Sequence, residues 1–190
     1  MMTPLDAVDR RLLAYLMDDG RLSLSKLGRA LGMSHVAVGK RLERLVKGGV
    51  VRVQANLGLK RLGLRLVAVL MEVDGVEALE RLKHVFSECP RMLMLATLIA
   101  GFNLLGLMVA EGDDVLESIT TCCAVRDYPG IKRTEVYLIG ELVKPGYLPL
   151  RLAERRGGRA PCGRECRLCS RFKGGRCPGC PAVEGYRGPL

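Results

Sequence analysis

Residues 5–51, LDAVDRRLLAYLMDDGRLSLSKLGRALGMSHVAVGKRLERLVKGGVV, carry the pattern that most restricts what this chain can fold into. Leu5, Val8, Leu12 and Leu16 recur at helical spacing and predict an amphipathic helix from Leu5 to Met17. Asp18-Asp19-Gly20 ends it, the glycine suiting a left-handed cap. Ser23 caps a second helix with an apolar face of Leu24, Leu27 and Leu31, closed by Gly32. Ser34 caps a third helix, His35 to Lys47. At 100° per residue, Leu42 and Leu45 lie within about 40° of Val38 and form its core face. Val36, Ala37, Lys40, Arg44 and Lys47 lie about 160° to 260° around, on the solvent side. Small residues for close approach, with cations beside them, are what a helix entering a DNA major groove requires. Glu43, on the rim, suits a base amino group or a neighbouring cation, and Arg41, at the core edge, suits a phosphate or a carboxylate of the same chain. Gly49–Gln54 alternates and predicts a short wing strand.

The formal charge of +10 is unevenly spread. Residues 1–60 carry 11 Lys/Arg against 5 Asp/Glu, residues 61–150 carry 9 against 12, and residues 151–190 carry 10 against 3. Two basic ends around a mildly acidic middle point to a polyanion partner, double-stranded DNA. The polar start of the chain, with Asp6, Asp9 and Arg10, lacks a secretory signal, and five of the eight cysteines crowd into residues 162–180. Both features predict a cytoplasmic protein with a metal site rather than a disulfide scaffold. Met92–Ala110 is long enough and uncharged enough to cross a bilayer. Gly101-Phe102-Asn103 at its centre, and flanks without a cationic or aromatic anchor, predict instead a buried hairpin and no membrane contact.

The middle of the chain alternates strand, helix, strand, strand, helix, strand. Arg65–Val73 is an apolar strand, Val76–Phe86 a helix, Met92–Ala100 and Leu104–Ala110 the hairpin, Val115–Val125 a second helix and Ile131–Ile139 a last strand after Pro129-Gly130. This order is a ferredoxin-like βαββαβ unit. Strands such as LVAVLMEV and MLMLATLIA are apolar on both faces, so the sheet is expected to pair with a second copy, giving a homodimer or a higher oligomer.

The string LDxxDRxLLxxLxxDGRxSLxxLxxxLGMS followed by SxxxVxxRLxRLxxxGVV closely resembles the winged helix-turn-helix of the Lrp/AsnC (leucine-responsive, feast/famine) transcription regulators, with Leu5, Asp6, Asp9, Arg10, Asp19, Gly20, Val38, Leu42, Leu45, Gly49 and Val50 in register. The central unit is similar to that family's regulatory domain, so the resemblance covers residues 5–145. It implies a sequence-specific regulator that binds pseudo-palindromic DNA as a dimer or larger assembly and is not an enzyme. Its DNA contacts are expected from Arg21, Ser23, Ser34, His35, Val36, Ala37, Gly39, Lys40, Arg41, Arg44 and Lys47. Family effectors, often amino acids, bind near the hairpin turn, here Gly101, Phe102 and Asn103, and an asparagine there can hydrogen-bond an ammonium group without matching its charge. Two histidines, His35 and His84, and no paired acid and base agree with the absence of catalysis.

Beyond a basic linker, Cys162, Cys166, Cys169, Cys177 and Cys180 sit among too few apolar residues to form a core, so metal is expected to order the segment. Two Cys-x-x-Cys pairs can put four thiolates around one tetrahedral ion with a fifth to spare, and Gly163, Gly179 and the neighbouring prolines supply tight turns. Zinc is preferred to an iron–sulfur cluster because it requires no further function. Cys89 and the adjacent Cys122-Cys123 read as small buried apolar residues with no assigned role. The expected architecture is α+β: a winged helix-turn-helix at 1–54, a linker strand at 55–64, a ferredoxin-like regulatory and oligomerisation domain at 65–145, a linker at 146–160 and a Cys-rich metal-binding segment at 161–190. The leading function is transcription regulation tuned by an effector or by the metal site. The alternative is a metal- or redox-responsive, partner-binding sensor for which DNA is secondary.

Overall fold

Asp6 starts the first helix by accepting from the Asp9 N–H at 2.7 Å, and Asp9 returns a bond to the Asp6 N–H at 3.3 Å, a reciprocal cap. In the computed structural model, which describes residues 4–155 and 157–190, this helix is α1, Ala7–Asp18. Ser23 and Ser34 cap α2, Leu24–Leu31, and α3, His35–Lys47, each hydroxyl accepting from the N–H three residues on. Gly32 ends α2 at φ +67°, a conformation that would strain a side chain. Leu12, Leu27, Leu31, Val38 and Leu45 form the small core. These elements belong to the first of two compact units, Met1–Ala55, and the second is Asn56–Leu190.

The expected wing is absent. Residues 51–56 form no strand. The alternation of Val51 and Val53 has no second arm to take its backbone hydrogen bonds, and Val51 instead packs against the helical core. The linker strand is likewise reduced to one bridge, Leu57 with Leu148, after which residues 59–63 turn.

The second unit holds β1 (Arg65–Val73), α4 (Gly75–Ser87), β2 (Met92–Thr97), β3 (Leu104–Ala110), α5 (Asp113–Thr121), α6 (Ala124–Asp127) and β4 (Ile131–Ile139). All neighbouring strands are antiparallel, in the order β2-β3-β1-β4, so the βαββαβ expectation is met. One predicted helix is two, because the chain breaks at Cys122-Cys123 and restarts as α6. One sheet face packs Val67, Val69, Met71, Leu104 and Met108 under Leu82, Phe86, Val115 and Ile119 of the helices. The other face is covered at one end by the chain itself, where Leu57, Leu59, Leu64, Leu148 and Leu150 lie over Leu66, Leu107, Val109 and Ile139. On the two outer strands Met94 and Tyr137, in the row of Leu107 and Ala68, are exposed.

The Cys-rich segment packs within the same unit as the sheet. It contains a 3-10 turn, Cys166–Leu168, and a short helix, α7, Ser170–Lys173. The buried Arg171 donates to both oxygens of Glu117 at 2.7 and 2.9 Å and to Ser118 Oγ at 2.9 Å, all on α5. Arg91 clasps Glu111 through two bonds and donates to the Gly179 carbonyl at 2.7 Å. Tyr186 donates to the same Glu111 at 2.6 Å. Phe172, Val183 and Tyr186 are buried, while Leu168 is exposed. The segment is therefore tied to α5 and to Glu111 after β3 by buried polar bonds, and it buries three apolar side chains of its own.

Candidate functional site

Two places in the structure concentrate chemistry, the outer face of α3 and a thiol-lined cavity beside α5. On α3, Val38 and Leu45 are buried, and Val36, Lys40, Arg44 and Lys47 are exposed, as the angular reading predicts. Ala37 and Gly39 are half-buried, and a methyl on Gly39 would touch Leu24 at 3.4 Å, so its small size serves helix packing as well as surface approach.

The four cations of α3 are not equivalent. Arg41 binds Asp6 at 2.5 Å and Asp9 at 2.9 Å, so of the two partners expected for it the structure supplies the carboxylate, not a free path to phosphate. Arg44 also reaches Asp9, at 2.5 Å, but keeps half of its side chain in solvent. Asp9 is fully buried and ties the start of α1 to the middle of α3. The Asp9 N–H, and then the Arg41 guanidinium, hold the Asp6 carboxyl below the usual carboxylate range. Lys47 pairs with Glu43 one turn back at 2.6 Å, the second of the two roles open to Glu43. Lys40 alone among these cations makes no ion pair among the described residues.

Arg21 is exposed in the turn before α2, where its N–H bonds the Asp19 carboxylate at 2.9 Å. Ser25, Arg29, Ser34 and His35 line a groove of about 580 Å³ at the start of α3. Arg29 was missed in the sequence, where only its place in the last turn of α2, off the apolar face, marked it. The exposed N-terminal end of α3, with His35 and the neighbouring Arg29, presents N–H groups and positive charge to an anion.

At the hairpin turn, Asn103 is already engaged. Its Oδ1 accepts from the Val73 N–H at 2.8 Å and its Nδ2 donates to the Val73 carbonyl at 2.9 Å, so it completes the end of β1. Phe102 lies under the Arg133 guanidinium, 4.4 Å from the ring centre. The three predicted effector residues are thus adjacent, but the asparagine works as a structural clamp.

The five tail cysteines all line a second cavity, of about 550 Å³, walled on its far side by α5 and by Cys89, Cys122 and Cys123. All are free thiols. Gly163 and Gly179 adopt φ +82° and +93°, the left-handed turns expected of them. The donor set is sulfur-rich and suits a thiophilic metal, but among the described residues no three Cys, His, Asp or Glu side chains converge closely enough to hold one ion. Burial pushes the Cys89 thiol up to about 12 and the Cys180 thiol up to about 11, so neither is built as a nucleophile.

Residues 5–46 match the AsnC-type helix-turn-helix domain. An HTH-type transcriptional regulator of Pyrococcus horikoshii is 31% identical over 148 residues, covering 75% of this chain and 90% of the relative. The chain belongs to the Lrp/AsnC family. It is a DNA-binding transcription regulator and not an enzyme. The transcriptional regulatory protein DoeX of Halomonas elongata is 26% identical over 145 residues, covering 74% of this chain and 90% of DoeX. In fold, this Lrp/AsnC chain is similar to Escherichia coli AsnC, with a TM-score of 0.65 at 14% identity over 74% of this chain and 95% of that one. It is also similar to a Neisseria meningitidis transcriptional regulator crystallised with L-Met, with a TM-score of 0.68 at 18% identity over 78% and 97% of the two chains. Among the described residues no helix is long and apolar enough to cross a membrane.

Proposed function

We propose that this Lrp/AsnC regulator reads its operator with α3, placing Val36, Ala37, Gly39 and Arg44 toward the bases and Ser34, His35, Arg21, Arg29, Lys40 and Lys47 toward phosphates. The observation that carries this reading is the exposed face of Val36, Lys40, Arg44 and Lys47 set opposite a buried Val38–Leu45 seam. Arg41 and Ser23 act behind that face, the arginine by fixing α3 to α1 and the serine by capping α2. Two copies joined through the bare part of the outer sheet face would present two such helices to successive major grooves, about 34 Å apart.

Effector control is assigned to the hairpin turn at Gly101 and Phe102, and the L-Met complex of the structurally similar Neisseria regulator supports a small-molecule effector as such. Asn103 holds the turn rather than the ligand. The tail cysteines are assigned one thiolate-bound metal centre, zinc or an iron–sulfur cluster, supported by five free thiols around one cavity. The central test is a mobility-shift titration of the chain on its own promoter fragment across salt concentrations. Affinity should fall steeply with salt as counterions are released. Lys40→Ala combined with Val36→Asp should abolish specific retardation while the circular dichroism spectrum stays native. Unchanged retardation would remove α3 from the interface.

A further inference from the structure

From residue 151 on, the tail carries ten Lys/Arg against three Asp/Glu, and the structure sorts those cations by what they meet. Arg151 reaches Glu88 at 3.6 Å, Arg159 pairs with Glu165, Arg164 with Asp127, and Arg171 with Glu117 at 2.7 Å. The Arg155 guanidinium lies 5.4 Å from the centre of the Tyr186 ring, and that of Arg187 lies 4.2 Å from the centre of Phe172. Arg167, Lys173 and Arg176 differ: they are exposed and make no ion pair among the described residues. All three fall in residues 166–176, CRLCSRFKGGR, a segment without Asp or Glu.

This segment is a built knuckle, not a loose basic arm. The 3-10 turn Cys166–Leu168 leads into α7, where Arg171 and Phe172 are buried. At about 100° per residue, Ser170 and Lys173 then share the solvent side of α7, and both are exposed. The Arg176 N–H bonds the Arg171 carbonyl at 2.8 Å, and the Arg171 guanidinium donates to the Arg176 carbonyl at 3.1 Å, which closes the turn after α7. The same guanidinium is anchored on Glu117 and Ser118 of α5. Glu117 lies within electrostatic range of Arg176, but both of its oxygens are held by Arg171.

Cations held on one ordered turn without counter-charges select a polyanion, and the ordering lowers the entropy lost on binding it. The chemistry narrows which polyanion. Phe172, the one aromatic residue of the segment, is buried, so no ring is offered for stacking on the bases of a single strand. A four-residue helix beside the exposed Leu168 cannot lay an apolar face into a bilayer. Arginine and lysine on a bare turn instead suit duplex phosphates, which they meet without reading sequence. Because α3 brings the chain to DNA, duplex phosphate is also the polyanion at high effective concentration.

We propose that Arg167, Lys173 and Arg176 form a second DNA surface, which grips phosphates of the bound duplex without selecting sequence. The proposal rests on the reading of α3 as the operator-reading helix and extends it. Affinity is divided between a base-reading surface in the first unit and a phosphate-gripping surface in the second. Counterions released at the knuckle add to those released at α3, so the knuckle steepens the salt dependence and strengthens binding to promoter and unrelated DNA alike.

The full chain is titrated by fluorescence anisotropy onto its promoter fragment and onto a scrambled duplex of equal length, at salt between about 50 and 200 mM. Arg167→Gln with Lys173→Gln and Arg176→Gln should lower the slope of log affinity against log salt by about 2–3 for each bound chain. The gap from wild type should then widen about 20- to 60-fold from the high to the low salt. Preference for promoter over scrambled duplex should not change, and Arg167→Lys with Arg176→Lys should keep the wild-type slope. Because a variant can fail to fold, the wild-type chain supplies a second readout: duplex should protect Lys173 from acetylation, measured by mass spectrometry. An unchanged slope, a lost promoter preference in the triple variant, or Lys173 acetylated as readily with duplex as without overturns the proposal. Protection by phosphatidylserine vesicles or single-stranded DNA, but not by duplex, overturns it as well. In each case the reading of α3 stands if Val36→Asp with Lys40→Ala abolishes promoter preference; retention of that preference overturns the α3 reading instead.

Discussion

Lys40 and Arg41 are adjacent in sequence and opposite in their pairing. Lys40 has no ion pair among the described residues, so its charge is free to displace a counterion from DNA. Lys40→Ala should weaken operator binding and lower the slope of log affinity against log salt by about 1, with no loss of thermal stability; an unchanged slope would place Lys40 off the phosphates. Arg41 is committed to Asp6 and Asp9, and the fully buried Asp9 also serves Arg44 and the helix cap. Asp9→Ala should therefore cost about 1–3 kcal/mol in urea unfolding, the guanidiniums being able to return partly to water. Asp6 adds a pH signature. Its folded value is depressed, so its stabilisation is complete above the ordinary value near 3.8 and is lost as pH falls through the lowered value. Melting temperatures of wild type and Asp6→Asn should differ at pH 6 and converge in this acid range, and a constant difference would contradict the linkage.

The helix-turn-helix depends on a close approach that only glycine allows. A Cβ on Gly28 would sit 2.6 Å from the Met33 carbonyl oxygen, a backbone atom that cannot rotate away. Gly28→Ala should force α2 and α3 apart at the turn and destabilise the first unit by about 1–3 kcal/mol, read by denaturant unfolding, and a neutral outcome would mean that the turn yields freely. The elements themselves were largely legible in the sequence, because Ser23, Ser34, Gly32 and the leucine spacings are local signals. The α3 face was legible for the same reason. What failed needed distant partners. Residues 51–56 alternate like a strand but have no second arm, and the Cys122-Cys123 break has no proline or glycine to announce it. The role of Asn103 was hidden because its amide bonds Val73, thirty residues away. The three cysteines of the sheet domain gave no spacing signal at all, since their neighbours come from the tail.

Over the whole molecule, pairing of two copies through the sheet's outer face, as proposed above, would decide whether one recognition helix or two meets DNA. Leu70 and Leu105 are direct cross-strand partners on that face, half-buried, between Ala96 and Glu135, with exposed Met94 and Tyr137 one row away, and neither leucine belongs to the cluster that the Leu57–Leu64 and Leu148–Leu150 segments cover. An apolar strip left bare on a charged protein is a natural seat for a second copy. Leu105→Lys places a cation in that strip without touching the core beneath the helices, because its side chain points away from Val67, Val69 and Met71. Sedimentation should show the wild type as a dimer or larger and the variant as a monomer of unchanged secondary structure. Affinity for a two-half-site operator should fall in parallel, since a monomer forfeits the second helix and the effective concentration that tethers it. Binding to a single half-site should change little. A variant that stays dimeric would move the interface elsewhere, and one that becomes monomeric yet holds the full operator as tightly would separate assembly from DNA reading.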